Sequence, residues 1–238
     1  MLRLKTTIKD LFNSLVELLY PSICCVCERI LVRGENYICT KCNADFPFVY
    51  RGDGHEARLI AKTSQYFIPC AAFSLFYYDK YSEYKNILYA IKYKSNASLA
   101  VYMGEFLGRK LSSELVIDYI LPIPLHRRKK KIRGFNQAQK IAEGLNRYLD
   151  AEIIEDIIIR HKNNDSQTGK SSEERLCNVG GIFSLNISSC YIVKMLENKS
   201  VLIVDDVITT GATLNSFLSC LPDLQSTKFY VACLGQTM

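Results

Sequence analysis

No apolar run in this 238-residue chain approaches the roughly 18 residues that a membrane-spanning helix requires, which excludes a helical integral membrane protein. A secretory signal is missing too. Lys9, Asp10 and Glu17 interrupt the first apolar segment, and no small-residue cleavage site follows it. Charge of one sign is not in large excess: the formal net charge is +6 and the pI about 8.7. That balance permits phosphate or nucleic-acid ligands without demanding them. Cysteine, by contrast, is plentiful, at 10 residues. Without an export signal, these thiols point to a reducing compartment and to metal binding rather than disulfides. The 48% apolar and 23% charged composition is that of a globular protein, and the length predicts one to two domains.

The most informative run is Val201-Leu202-Ile203-Val204-Asp205-Asp206-Val207-Ile208-Thr209-Thr210-Gly211-Ala212-Thr213. Four buried-type residues predict a strand that ends at two adjacent carboxylates. A Thr/Gly turn follows, and Leu214 opens a helix. In an open α/β sheet this carboxyl end is where ligands bind. The turn aims backbone N–H groups outward, which suits a phosphate. Two carboxylates accept hydrogen bonds only, which suits a pair of vicinal hydroxyls. A phosphate with a cis-diol is a ribose 5-phosphate. The run resembles the phosphoribosyl pyrophosphate (PRPP) motif of type I phosphoribosyltransferases. In that resemblance Asp205 and Asp206 hold the ribose hydroxyls, and Thr209, Thr210, Gly211 and Thr213 wrap the 5-phosphate.

A second constellation is Cys24-x-x-Cys27 followed, after eleven residues, by Cys39-x-x-Cys42. Each knuckle offers two thiolates from one tight turn, and two knuckles close a tetrahedral site suited to structural Zn²⁺. Ile30 to Val32 and Tyr37-Ile38, flanking Arg33 to Asn36, predict a short hairpin within a zinc ribbon. So short a segment cannot bury enough core to fold without the metal. Cys25 adjoins Cys24 and is an alternative ligand. Cys70, Cys177, Cys190, Cys220 and Cys233 read as buried small residues.

Along the chain, residues 2–19 have helical apolar spacing, and residues 43–69 lack periodicity and read as a connector. From residue 70 strands and helices alternate. Strands are predicted at Ala71–Tyr78, Val116–Ile123, Ile157–Ile159, Val201–Val204 and Phe229–Leu234. Helices are predicted at Tyr81–Tyr93, Leu99–Leu111 and Asn136–Leu149, the last capped by Asn136. The expected fold class is α/β: a type I phosphoribosyltransferase-like, mostly parallel sheet flanked by helices, with a small N-terminal zinc ribbon. Expected boundaries are 1–50 for the N-terminal helix and ribbon, 51–69 for the connector and 70–238 for the phosphoribosyltransferase-like domain.

Pro122-Ile123-Pro124-Leu125 is followed by Arg127, Arg128, Lys129, Lys130, Lys131 and Arg133, read as a basic loop at the same sheet edge as the acid pair. Such a loop suits pyrophosphate, and Arg127, Arg128 and Arg133 are candidate anion ligands. Arg133-Gly134-Phe135-Asn136-Gln137, the two Cys-x-x-Cys pairs, Tyr20-Pro21, Ile91-Lys92-Tyr93-Lys94, Gln167, Glu174-Arg175, Asn178-Val179 with Phe183, and the PRPP-type run together resemble the ComF family of competence proteins. The resemblance covers nearly the whole chain. It departs from the family where Cys-Pro-x-Cys is replaced by Cys24-Cys25-Val26-Cys27.

The resemblance implies a PRPP site and a role in natural transformation. That role is cytoplasmic handling of incoming single-stranded DNA, near the inner face of the membrane and beside a helicase-like partner and a DNA-processing protein. Gln167 and Arg175 fall where type I enzymes carry a mobile lid. Phosphoribosyl transfer would proceed through an oxocarbenium-like transition state, with Mg²⁺ bridging pyrophosphate and hydroxyl oxygens. Three classes of function remain open from the residues. One is a transferase with an unspecified acceptor. Another is a non-catalytic PRPP- or nucleotide-binding module. The third is a DNA-binding accessory in which the zinc ribbon and the basic loop contact DNA; the Tyr- and Lys-rich residues 79–98 suit stacking of single-stranded DNA and of a free base alike.

Overall fold

The computed structural model describes residues 19–50, 54–63, 69–161, 181–186, 190–222, 224 and 226–237. The helix expected at 2–19 lies almost wholly outside them. Five strands form one sheet in the order β1-β7-β6-β2-β3, and every pairing is parallel. They are β1 Ala71–Tyr77, β2 Tyr119–Pro122, β3 Glu152–Ile153, β6 Ser200–Ile208 and β7 Lys228–Gln236. A separate antiparallel pair joins β4 Ile158–Arg160 to β5 Phe183–Leu185. The residues read as a strand at 157–159 therefore stand outside the main sheet.

The apolar run of β6 is buried on both faces because successive strand side chains alternate. Leu202 and Val204 enter one core with Ile120, Phe73, Ala232 and Leu234. Val201 and Ile203 enter the other with Leu121, Ala72, Val231 and Cys233. The first face is covered by α3 Lys85–Tyr93, α4 Ala97–Ser112 and α6 Gln137–Leu149. The second is covered by α2 His55–Thr63, α7 Cys190–Met195 and α8 Ala212–Leu218, with β4 and β5. The remaining helices are α1 Thr40–Ala44 and α5 Arg127–Arg133.

Helices α4 and α6 touch backbone to backbone. A Cβ added at Gly104 would drive into the Ile141 carbonyl oxygen, and one at Gly144 into that of Val101. Only hydrogen at these positions allows so close an approach. Asn96 caps α4 by accepting the Leu99 amide at 2.9 Å.

Several expectations are corrected. The connector contains a helix, α2, whose Leu59 is buried against the sheet. The basic segment is not a loop but α5, capped by His126 and stopped by Gly134 at φ +83°. Asn136 stands at the start of α6 without capping it; its Nδ2 instead donates to the Ile123 carbonyl at 3.0 Å. The acids do not end β6, because β7 runs on beside it and pairs Asp205 with Cys233 and Val207 with Gly235. No hairpin joins residues 30–32 to 37–38: Ile30 bridges to Ile23, and Asn36 to Ile38. Of the scattered cysteines, Cys233 is buried, Cys220 half-buried and Cys70 exposed. Cys177 and the Cys190 side chain lie outside the described set.

Candidate functional site

The acid pair sits toward the carboxyl edge of the sheet, on β6, the central strand of the five. The Asp206 amide donates to Asp205 Oδ1 at 2.8 Å, which turns the Asp205 carboxylate back along its own strand. Asp206 pairs with Lys92 of α3, Nζ to Oδ1 at 3.0 Å. Burial and the neighbouring Asp206 charge push Asp205 up to about 7, against the opposing pull of the Asp206 amide, Lys92 and Arg160. Arg160, at the end of β4, adds its positive charge from the other face of the sheet without pairing with either acid.

Thr209, Thr210, Gly211, Ala212 and Thr213 follow as a turn into α8, and with Asp205, Val207, Ile208 and Leu214 they line one cleft. Gly211 has φ +77°. Its Cα also lies so close to the Lys62 carbonyl that a side chain would collide with it. Both reasons demand glycine there. Asn215 Nδ2 donates to the same carbonyl at 2.9 Å, and Lys62 Nζ donates to the Thr237 carbonyl at 2.7 Å. The turn is thereby clamped by α2 and by the end of β7. No local sequence pattern signals Lys62 or Arg160 as part of this site.

Of the three candidate anion ligands, Arg133 is the one packed against α3, the helix that carries Lys92. It donates to Gln137 Oε1 at 3.0 Å and stacks over the Tyr93 ring at 5.6 Å. Its charge is felt at Arg160. Arg127 and Arg128 are exposed on the first turn of α5. Gln167 and Arg175 lie outside the described residues.

The four thiols of Cys24, Cys27, Cys39 and Cys42 have their sulfurs all within 4.8 Å of one another. Cys27 and Cys39 sulfurs are 3.7 Å apart, close to the edge of roughly 3.8 Å for a tetrahedron with Zn–S bonds of about 2.3 Å. Amides of Cys39 and Cys42 donate to the sulfurs of Cys24 and Cys39 at 3.3 and 3.4 Å, which stabilises thiolate. The Cys42 amide is the main reason that Cys39 falls to about 6. The donor set fits zinc, and four protein thiolates leave no open position, so the metal would be structural. Cys25 is not in the cluster; burial pushes its thiol up to about 12. Glu35 clasps the second knuckle, accepting from the Thr40 and Val32 amides at 2.7 and 2.9 Å and from Arg29 at 2.6 Å.

This centre is not isolated from the sheet. Tyr84 OH donates to the Cys42 carbonyl at 2.8 Å and Asn86 Nδ2 to that of Val26 at 3.0 Å. Cys24, Cys39, Cys42 and Phe46 share the core that holds α3 and α4.

A parallel five-stranded sheet with an acid pair and a Thr–Gly turn at its carboxyl edge defines a phosphoribosyltransferase-like protein. The phosphoribosyl transferase domain family matches residues 132–235. The chain is a homologue of the ComF-type competence and YhgH proteins. It is 37% identical over 107 residues to Competence protein F of Haemophilus influenzae, covering 45% of each chain. It is 35% identical over 102 residues to Competence protein ComFC of Bacillus subtilis, covering 43% of this chain and 37% of that one. It is 25% identical over 158 residues to DNA utilization protein YhgH of Escherichia coli O157:H7, covering 64% and 66%. The chain thus spans less than half the length of the first two and about two thirds of the third. A solved purine phosphoribosyltransferase from Pyrococcus horikoshii aligns at 22% identity and TM-score 0.33, over 58% of this chain and 74% of that one. Among the described residues, no helix is long and apolar enough to cross a membrane.

Proposed function

We propose that the chain binds PRPP, as its Mg²⁺ complex, and serves the handling of incoming single-stranded DNA on the cytoplasmic side of the membrane. The observation that carries the PRPP reading is the placement of Asp205 and the Thr209–Thr213 turn in one cleft at the carboxyl edge of a parallel sheet. Backbone N–H groups of the turn, with the Thr209, Thr210 and Thr213 hydroxyls, hold the 5-phosphate. Asp205 and Asp206 accept the 2- and 3-hydroxyls, Lys92 yielding its place on Asp206 to the sugar. Arg133 contributes positive charge for the pyrophosphate.

In transfer, the bond from C1 to pyrophosphate breaks as an acceptor attacks C1. Positive charge grows on the sugar, and the ionised acids stabilise it electrostatically. The names of the relatives support a role in competence and DNA use; a helicase-like protein and a DNA-processing protein as partners belong to the same proposal. The test is calorimetric titration of Mg²⁺-PRPP into the full chain, with an Asp205→Asn, Asp206→Asn variant beside it. Binding in the parent and its loss in the variant is the expected result. Equal binding in both removes the acid pair from the site.

A second reading has its own observation. Tyr89 and Tyr93, both exposed on the outer side of α3, lie ring beside ring at 5.0 Å, Arg133 lies over Tyr93, and α5 is basic along its length. That surface suits single-stranded DNA, with bases on the rings and phosphates on α5. Log affinity for an oligonucleotide falling steeply with log salt is expected, and a flat dependence rejects it.

A further inference from the structure

Gly211 and Asn215 belong to the threonine turn and to α8, yet both are held by one residue of α2. The Lys62 carbonyl lies at the end of that helix, where no amide of the helix itself remains to take it. A Cβ on Gly211 would stand 2.0 Å from this oxygen, so the turn packs directly against it. Asn215 Nδ2 donates to the same oxygen at 2.9 Å, while the Asn215 amide donates to the Gly211 carbonyl at 2.8 Å. Asn215 thus joins the turn to α2. The Lys62 ammonium holds the other end. It donates to the Thr237 carbonyl at 2.7 Å and to Thr237 Oγ1 at 3.1 Å, and that hydroxyl donates to the Thr209 carbonyl at 3.3 Å.

Stability alone does not account for the asparagine. Its Oδ1 is buried and has no hydrogen-bond partner among the described residues, and the buried side chains beside it in α8 are Leu214, Phe217 and Leu218. An unpaired buried acceptor opposes folding, and leucine would occupy a similar volume without one. What the amide supplies is a single donor, aimed at Lys62. The turn needs such fixing. Its N–H groups must converge to hold a phosphate, and a loop ordered before the ligand arrives loses less entropy on binding. We infer that Asn215 and Lys62 are positioning residues of the phosphate turn: without touching the ligand, they fix Gly211 and Thr209 against α2 in the shape that receives the 5-phosphate. This rests on the PRPP reading and deepens it, since Lys62 lies outside the stretch that the domain family matches.

The test compares the full metal-loaded chain with its Asn215→Leu and Lys62→Met variants, by amide ¹⁵N relaxation without ligand and by calorimetric titration of ribose 5-phosphate. Lys62→Met removes the ammonium and keeps the carbonyl. In the parent, the amides of Thr210, Gly211 and Ala212 should be as rigid as those of β6, with order parameters of about 0.85. In Asn215→Leu they should fall to about 0.6 while β6 is unchanged, and ribose 5-phosphate should bind about tenfold more weakly. Lys62→Met should lie between, and Lys62→Arg, which can still donate to Thr237, should stay near the parent. If the leucine variant does not fold, the methionine variant carries the comparison. Turn amides that keep their order in the folded variants overturn the inference. So does an equal loss of order in β6, which marks a general loosening of the sheet. Parental affinity beside a loosened turn overturns it as well. A parent that binds no ribose 5-phosphate overturns the PRPP reading, while the relaxation data still decide whether Asn215 and Lys62 hold the turn.

Discussion

Replacing Asp205 by Asn should make the protein more stable at neutral and alkaline pH. The carboxyl titrates at about 7 in the folded chain and near its ordinary value of 3.8 in the unfolded one. Between those values the folded state holds a proton that the unfolded state has released. Stability therefore falls as pH rises across that window, and above about 7 the whole penalty is in force. At about 1.4 kcal/mol per unit, the ceiling is on the order of 4 kcal/mol. Asp205 is half-buried and lines the cleft, so water on one side of the carboxyl reduces the yield and about 1–2 kcal/mol is expected. For a chain of this size that is roughly 3–6 °C in Tm. Asn keeps the oxygen that accepts the Asp206 amide, so no hydrogen bond is lost with the charge. It also removes the like charge beside Asp206 and leaves the Lys92 pair intact. The assay is urea denaturation of parent and variant at pH 5, 6.5 and 8. The gain should grow with pH and be largest at pH 8. A variant less stable than the parent at pH 8, or a gain independent of pH, refutes the reasoning. The acid would then be fully compensated in place.

The contact between α4 and α6 predicts that Gly144→Ala costs about 2 kcal/mol or more, read as a lower urea midpoint at unchanged slope; parental stability would mean the helices can separate freely. The purified chain should carry one equivalent of zinc, and Cys39→Ser should lose it together with several degrees of Tm, because that centre shares a core with α3 and α4. Glu35 is held down to about 2 from its ordinary 4.5, first by the Thr40 amide and then by that of Val32, so its contribution is complete above pH 4.5 and lost as pH falls toward 2. Glu35→Gln should therefore speed zinc transfer to a chromogenic chelator at pH 7 severalfold, and an unchanged rate would separate the clasp from the metal.

Where a local pattern determines the structure, the chain was legible. The β6 run and its alternation into two cores, the knuckles at Cys24 and Cys39, and the threonine turn all follow from spacing and residue type within a dozen positions. What was missed depends on tertiary context. Helix α2 is short, and only its packing against the turn at Gly211 reveals its purpose. The α5 segment has no apolar period, and yet arginine and lysine are good helix formers, and His126 and Gly134 are its cap and stop. Those signals could have identified it. Arg160 could not have been found this way. It sits in a three-residue strand, and nothing near it in sequence anticipates Phe183, Asp205 or Arg133.

The sheet order has a consequence for how this protein can be dissected. The stretch that resembles other phosphoribosyl transferase domains begins at residue 132, after β1 and β2. Strand β2 lies between β6 and β3, and β1 flanks β7. A fragment cut at the edge of recognisable similarity would leave β3 with no neighbour and would bare one flank of β6 and of β7. The threonine turn would lose the Lys62 carbonyl against which it closes. Such a piece would present open backbone edges, prone to pair with other copies of itself. The stretch that the domain family matches is thus smaller than the sheet it enters, because β1 and β2 precede it.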